Sequence, residues 1–281
     1  MIKGFRLLPR KKSSDKSRYG HVLVLAGSRG LDGAAVLASR AALEAGAGLV
    51  TLGIPKGLQK KMRRVPPEIM LLPLPETRRG SLHPRAFATI RKFIQNKKVN
   101  AVALGPGLST RASTAALVRR LVKTVRPPIV LDADGLNAFK GKAVELQAHA
   151  GPLVMTPHDR EFTRLFEKVP PRAALIRVAL AKHLARHYAS VLVMKGRRSV
   201  VSDGRRTYVN RTGNPGMAKG GTGDALTGMI AAFIAQGLGA FEAARWGVYF
   251  HGRAGDAAAR KKGVLSLTAG DLIDFFPKVF R

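Results

Sequence analysis

Short, almost wholly apolar runs alternate along the chain with longer amphipathic stretches, the spacing of strand–helix–strand units around a parallel sheet. Residues 21–26 read as a first strand and residues 27–33 as a turn. The alanine-rich stretch 34–45 reads as a helix, stopped by Gly46 and Gly48. Residues 49–54 form the next expected strand, and 101–104, 129–131, 153–155 and 191–194 are four more. Apolar runs of this kind suit strands covered on both faces by helices. Residues 200–202 and 207–209, joined through Asp203-Gly204, read as a hairpin. A strongly apolar helix is expected over 225–235. No repeat, low-complexity tract or linker interrupts the pattern, so one domain over 1–281 is expected, with residues 1–15 a flexible basic N-terminus.

The polar residues collect where such strands end. Gly105-Pro106-Gly107, Asp132-Ala133-Asp134, Thr156-Pro157-His158 and Lys195-Gly196 each follow an apolar run. In open α/β sheets, ligands bind beyond the carboxyl ends of the strands, so four distinctive strand ends point at one cleft. The most unusual segment is Gly220-Gly221-Thr222-Gly223-Asp224, which opens the apolar helix. Its glycines let backbone N–H groups turn toward a ligand, and the helix start adds partial positive charge. Asp224 then stands where a carboxylate can take a proton from a hydroxyl attacking phosphorus. The segment matches neither G-x-x-x-x-G-K-[ST] nor G-x-G-x-x-G. Lys195 and Gly196 offer a cation followed by open backbone, and His158 stands at a helix start. Asp132 and Asp134 suit either a magnesium–water site or a helix cap, so no metal ligand set is assigned.

Composition narrows the function classes. The chain has no cysteine, which excludes disulfides and thiolate metal sites. No apolar stretch reaches the ~20 residues of a membrane span, and the N-terminus lacks a secretory signal's apolar centre, so a cytoplasmic protein without membrane contact is expected. Lys and Arg number 49 against 17 Asp and Glu, a net charge of +32. The basic residues are spread along the chain, and their short clusters carry no interleaved aromatics. That favours non-specific contact with nucleic acid over dedicated recognition.

The turn at 220–224 resembles the anion hole of the ribokinase-like superfamily, whose members phosphorylate small-molecule hydroxyls. Around it, in order, stand the segments 19–28, Gly33-Ala34, 45–50, 67–70, Gly105–Leu108, Asp132–Asp134, Thr156–His158, Lys195-Gly196 and 214–218. Together these resemble the ADP/ATP-dependent NAD(P)H-hydrate dehydratase family, over residues from about 16 to about 272. The resemblance implies a ribokinase-like three-layer α/β sandwich with a mostly parallel sheet. It implies repair of the S-form of hydrated NADH or NADPH, with ADP or ATP as phosphoryl donor, ADP favoured, and Mg2+. Carried over by position, Asp224, Gly221 and Gly223 would be catalytic, and Ala34, Gly107, His158 and Asp224 would line the hydrate pocket. Lys195, Gly196, Arg197, Arg198, Ser199 and Gly223 would bind the adenine nucleotide. A homotetramer is implied, with the epimerase found elsewhere rather than fused ahead. Ser17 stands where the family often has glycine, and Arg197 and Arg198 are bulkier than usual there. Two rivals remain: a hydroxyethylthiazole kinase-like enzyme using the same Asp224, and a nucleic-acid-binding protein on a degenerate enzyme fold.

Overall fold

The computed structural model describes residues 5, 7, 9, 10 and 12–280. Nine strands form one sheet: β1 (His21–Leu25), β2 (Leu49–Pro55), β3 (Met70–Leu74), β4 (Ala101–Leu104), β5 (Ile129–Leu131), β6 (Leu153–Met155), β7 (Val191–Met194), β8 (Val200–Ser202) and β9 (Thr207–Val209). Their order is β3-β2-β1-β4-β5-β6-β7-β8-β9. Every pairing from β3 across to β7 is parallel. The hairpin at the far edge adds β8 and β9 antiparallel.

The connecting helices are α1 (Asp32–Glu44), α2 (Ala86–Asn96), α3 (Ala112–Thr124), α4 (Asp134–Asn137), α5 (Asp159–Phe166), α6 (Ala174–His187), α7 (Thr222–Ala235), α8 (Ala240–Lys262), α9 (Ala269–Asp274) and α10 (Phe276–Val279). Side chains alternate across each strand, and that alternation divides the interior into two cores. Val22 and Val24 join residues of α1, α7 and α8 in one, while Leu23 and Leu25 join α2, α3, α5 and α6 in the other. The result is the expected three-layer α/β sandwich. Helix α7 is apolar on every side because it is enclosed on every side, and all but two of its residues, Gly223 and Asp224, are buried.

Strand β3 and the long helix α8 lie outside the elements read from sequence. Pro73 within β3 is tolerated because that strand is the sheet edge. Residues 1–4, 6, 8 and 11 of the stretch expected to be flexible lie outside the described residues. Within that stretch, Phe5 packs its ring against Phe233, Trp246 and Phe250. Arg10 stacks over Tyr19 and donates to the Gly46 carbonyl. Among the described residues, no helix is long and apolar enough to cross a membrane.

The chain begins in mid-sheet at β1, builds outward to β3, and returns to place β4 on the other side of β1. The boundary between β1 and β4 is therefore the point where connection direction reverses, and a crevice opens there. It is stitched across: Gly27 N–H donates to the Pro106 carbonyl at 2.8 Å, and Ser28 Oγ donates to the Gly107 carbonyl at 2.8 Å.

Candidate active site

The strand ends converge on one buried ionic cluster. Lys195, just past β7, turns its Nζ inward to donate to Asp132 Oδ1 at 2.6 Å, with Glu161 Oε2 at 3.5 Å. Asp132, just past β5, is also held by the Thr227 hydroxyl, which donates to its Oδ2 at 2.7 Å. Asp132 and Glu161 are 1% and 5% exposed, so both charges depend on these partners. Burial alone would lower the Lys195 pKa, but Asp132, Glu161 and Asp224 together raise it, so its ammonium stays charged. Between Asp132 and Asp134, Ala133 adopts φ 49° and ψ −121°, a conformation that costs a non-glycine residue energy. This kink sends the two carboxylates to different tasks. Asp134 accepts from the Ser109 N–H at 2.8 Å and from Asn137 Nδ2 at 3.1 Å.

The glycine-rich turn lands beside this cluster. Its approach is pinned by Asp256, which accepts from Gly213 N–H and Asn214 Nδ2. The Thr222 hydroxyl lies 2.9 Å from the carbonyls of Met217 and Lys219. His251 on α8 closes the turn from below, its Nε2 2.8 Å from the Thr222 carbonyl. Burial holds His251 at a pKa of about 4, so it is neutral and donates through Nε2. Gly221 sits at φ +92°, and a Cβ there would stand 2.4 Å from Leu37 Cδ1. Only glycine serves both constraints. A Cβ on Gly223 would lie 3.3 Å from Lys195 Nζ, which places the start of α7 directly against the cluster.

Asp224 faces this arrangement from the first turn of α7. Its pKa is pushed up to about 7, first by burial and then by the neighbouring charge of Asp132, against the opposing pull of Lys195. A carboxyl poised near neutrality is the tuning expected of a general base.

Two clefts open at these strand ends, and Asp224 is not among the residues that line either. The larger, about 460 Å³, is bordered by Asp159, Arg172, Arg177, Gly196, Arg197 and Arg198. Within the predicted nucleotide segment, Gly196, Arg197 and Arg198 line this cleft, Ser199 hydrogen-bonds back to Gly196, and Lys195 points away into the carboxylates. The smaller, about 220 Å³, lies at the β1–β4 crevice. Ala34 and Gly107 meet at its edge: a Cβ on Gly107 would be 3.2 Å from the Ala34 Cβ. His158 caps α5. Its Nδ1 accepts from Arg160 N–H at 3.1 Å and Glu161 N–H at 3.4 Å, and its Nε2 lies 3.2 Å from Glu161 Oε1. Both ring nitrogens are thereby engaged.

Sequence reasoning missed Thr227, His251 and Arg177. The first is concealed in the apolar run of α7. The second lies on a helix not anticipated. Arg177 bridges Asp159 Oδ1 at 2.9 Å and the Lys195 carbonyl at 2.7 Å, tying the end of β7 to the start of α5. Among the described residues, no group of three or more His, Asp or Glu is arranged to hold a metal ion.

Comparison with known proteins gives a consistent picture. The family model described as NAD(P)H-hydrate dehydratase matches residues 22–278. A bifunctional NAD(P)H-hydrate repair enzyme of Moorella thermoacetica is 45% identical over 277 residues, covering 98% of this chain and 52% of that protein. The chain thus spans about half the length of the curated relatives it matches. The ADP/ATP-dependent NAD(P)H-hydrate dehydratase of Bacillus subtilis, co-crystallized with ATP/Mg2+, superposes with a TM-score of 0.81 at 30% identity, covering 98% of this chain and 94% of that one. A ribokinase-like superfamily protein of Enterococcus faecalis superposes with a TM-score of 0.80 at 25% identity, covering 97% and 90%.

Proposed function

Because the chain belongs to the NAD(P)H-hydrate dehydratase family, we propose that it restores the S-form of hydrated NADH or NADPH to the intact coenzyme at the expense of a nucleotide anhydride. The observation that carries this reading is Asp224 in the first turn of α7, set against the Lys195–Asp132–Glu161 cluster with its pKa pushed up to about 7. A net dehydration needs such a site because hydroxide leaves poorly. Asp224 takes the proton of the ring hydroxyl, and the alkoxide oxygen bonds to the terminal phosphorus of ADP or ATP as the anhydride P–O bond breaks. The departing nucleotide is AMP or ADP. The ring nitrogen then expels phosphate, the C–O bond breaks, and loss of the adjacent C–H proton restores the double bond.

The remaining residues follow from this chemistry. Gly221 and Gly223 bring backbone N–H groups at the α7 start toward the transferring phosphoryl, where negative charge accumulates. Gly196, Arg197, Arg198 and Ser199 hold the nucleotide, with ADP as the favoured donor. Lys195 fixes Asp132 and Glu161 and limits how far their charge lifts the Asp224 pKa. Ala34, Gly107 and His158 border the hydrated ring. Mg2+ in phosphoryl-transfer sites is held largely by substrate phosphates and water, with one or two carboxylates. The donor set here fits that mode rather than an all-protein cage, because Asp132 is already engaged by Lys195 and Thr227.

The test incubates the protein with Mg2+, hydrated NADPH and ADP or ATP, and follows the returning absorbance of reduced nicotinamide. Recovery that requires nucleotide and collapses in Asp224→Asn is the expected outcome. A folded protein that restores nothing with either nucleotide would falsify the proposal. The homotetramer and cytoplasmic location belong to the same reading, and light scattering of the purified protein checks the assembly.

A further inference from the structure

The smaller cleft is more basic than dehydration of a neutral ring requires. It is bordered by Ser28, Arg29, Leu31, Arg79, Ser109 and Arg111, with Asp134 at its base. The three arginines arrive on three separate loops, after β1, after β3 and before α3. All three are exposed, and none is among the ion pairs formed by the described residues. The one carboxylate in the cleft, Asp134, is committed to the Ser109 N–H and to Asn137.

These loops are held in place. Arg29 N–H donates to the Gly80 carbonyl at 2.9 Å, and a Cβ on Gly80 would stand 2.9 Å from the Arg29 Cβ, so the arginine stem lies against the β3 loop. Ser81 links that loop to α3: its hydroxyl pairs with Thr77 Oγ1 at 3.0 Å and accepts from Thr114 at 3.1 Å. No side-chain hydrogen bond caps α3, whose first turn opens beside Arg111. Three guanidinium groups on a stitched frame, at the reversal point of the sheet, form a site for an anion with several phosphate oxygens.

We infer that this cleft binds the diphosphate of the hydrated dinucleotide, and so sets the affinity for substrate while Asp224 sets the rate. The inference rests on the dehydratase reading for the identity of the substrate. The cleft is continuous with the proposed ring pocket, because the Leu31 carbonyl would lie 2.5 Å from a Cβ on Gly107 and Ser28 donates to the Gly107 carbonyl. The phosphoryl donor also carries a diphosphate, but its predicted segment lines the other cleft.

The discriminating experiment uses Arg79→Gln/Arg111→Gln, leaving Arg29 because its stem packs against Gly80. The expected result is a rise in KM for hydrated NADH and NADPH of about tenfold or more, with kcat and the KM for ADP or ATP held. Hydrated nicotinamide mononucleotide, which lacks the diphosphate, should lose far less. Calorimetric titration of NADPH, the repaired product, gives a readout independent of turnover and should show the same weakening, with a shallower salt dependence. An unchanged hydrate KM and NADPH affinity in an active, folded variant overturns the inference, as does a rise confined to the KM for nucleotide. A wild type inactive on both hydrates sinks the dehydratase reading instead, and the NADPH titration still decides whether these arginines hold a dinucleotide.

Discussion

Replacing Asp224 with asparagine keeps the shape of the side chain and removes a charge that burial and Asp132 both oppose. In the folded protein Asp224 holds its proton to a pKa of about 7, against an ordinary value of 3.8. The unfolded chain has released that proton from about pH 4 upward, so the folded state binds more protons between about pH 4 and 7. Stability therefore falls with rising pH across that window and is level above it. A displacement of about three pKa units corresponds to about 4 kcal/mol, which partial contact with solvent reduces to about 2–4 kcal/mol. Asp224→Asn should thus be more stable than wild type by about 2–4 kcal/mol near pH 8, and by well under about 1 kcal/mol near pH 4. Activity should move the other way. At about pH 6 roughly a tenth of the Asp224 carboxyls are ionised, so kcat/KM of the wild type should drop about tenfold from its plateau above pH 8. Urea unfolding at several pH values and initial rates over the same range supply both measurements. A variant no more stable than wild type near pH 8, or a wild-type rate flat from about pH 6 to 8, would show that Asp224 is an ordinary carboxylate and that the electrostatic argument is wrong.

His251 titrates with the opposite sign. Its folded pKa of about 4 lies below the ordinary 6.5, so the unfolded chain takes the proton first and stability falls as pH drops through that interval. His251→Gln should flatten this acid limb by up to about 3 kcal/mol, as read by thermal melts from about pH 4 to 7; an unchanged limb means the ring is not buried neutral. Lys195→Met leaves Asp132 and Glu161 buried without their cation and should cost about 3–5 kcal/mol. It should also move the acid limb of kcat/KM to higher pH, since Lys195 is the group that pulls the Asp224 pKa down; a shift to lower pH would contradict that role. Gly221→Ala must place a methyl group 2.4 Å from Leu37 Cδ1 at φ +92°. A loss of about 1–3 kcal/mol in denaturant melts, with rate falling more than nucleotide affinity, is expected, and a wild-type rate would exclude a strict backbone requirement.

The strands buried on both faces were legible because they are short apolar runs closed by polar residues. The hairpin over 200–202 and 207–209 was legible through Asp203-Gly204. Asp224 stood out because glycine at 220, 221 and 223 ahead of a carboxylate has no economical structural use. What was not legible depended on pairing across the fold. Asp132 could have been a cap or a metal ligand until Lys195 Nζ, 63 residues away, is seen at 2.6 Å. His158 reads from sequence as a pocket residue, and only the folded α5 reveals the capping box it forms with Glu161. Arg177 is one arginine in a chain with 49 basic residues, and nothing local separates it from those that face solvent. Strand β3 was concealed by Pro73, which argues against a strand unless the strand is known to be an edge.

The charge of the chain and the chemistry of its site run in opposite directions. With only 17 acidic residues against 49 basic ones, chance would place few carboxylates together. Yet Asp132, Glu161 and Asp224 gather around the inward-turned Lys195, with Asp134 close enough to Asp224 to be felt. The basic residues instead rim the clefts, through Arg172, Arg197 and Arg198 on one side and Arg29, Arg79 and Arg111 on the other. The two arrangements answer different requirements. A basic rim concentrates polyanionic ligands before they bind, an effect that acts over distance and tolerates exposed, flexible side chains. Tuning a base to neutrality requires like charge at close range in a dry setting, which only a rigid cluster can hold. An excess of positive charge at the centre would stabilise ionised Asp224 and return it to an ordinary, weakly basic carboxylate. The acids around Lys195 prevent that, so the surface can be strongly basic without disarming the residue on which the proposed reaction turns.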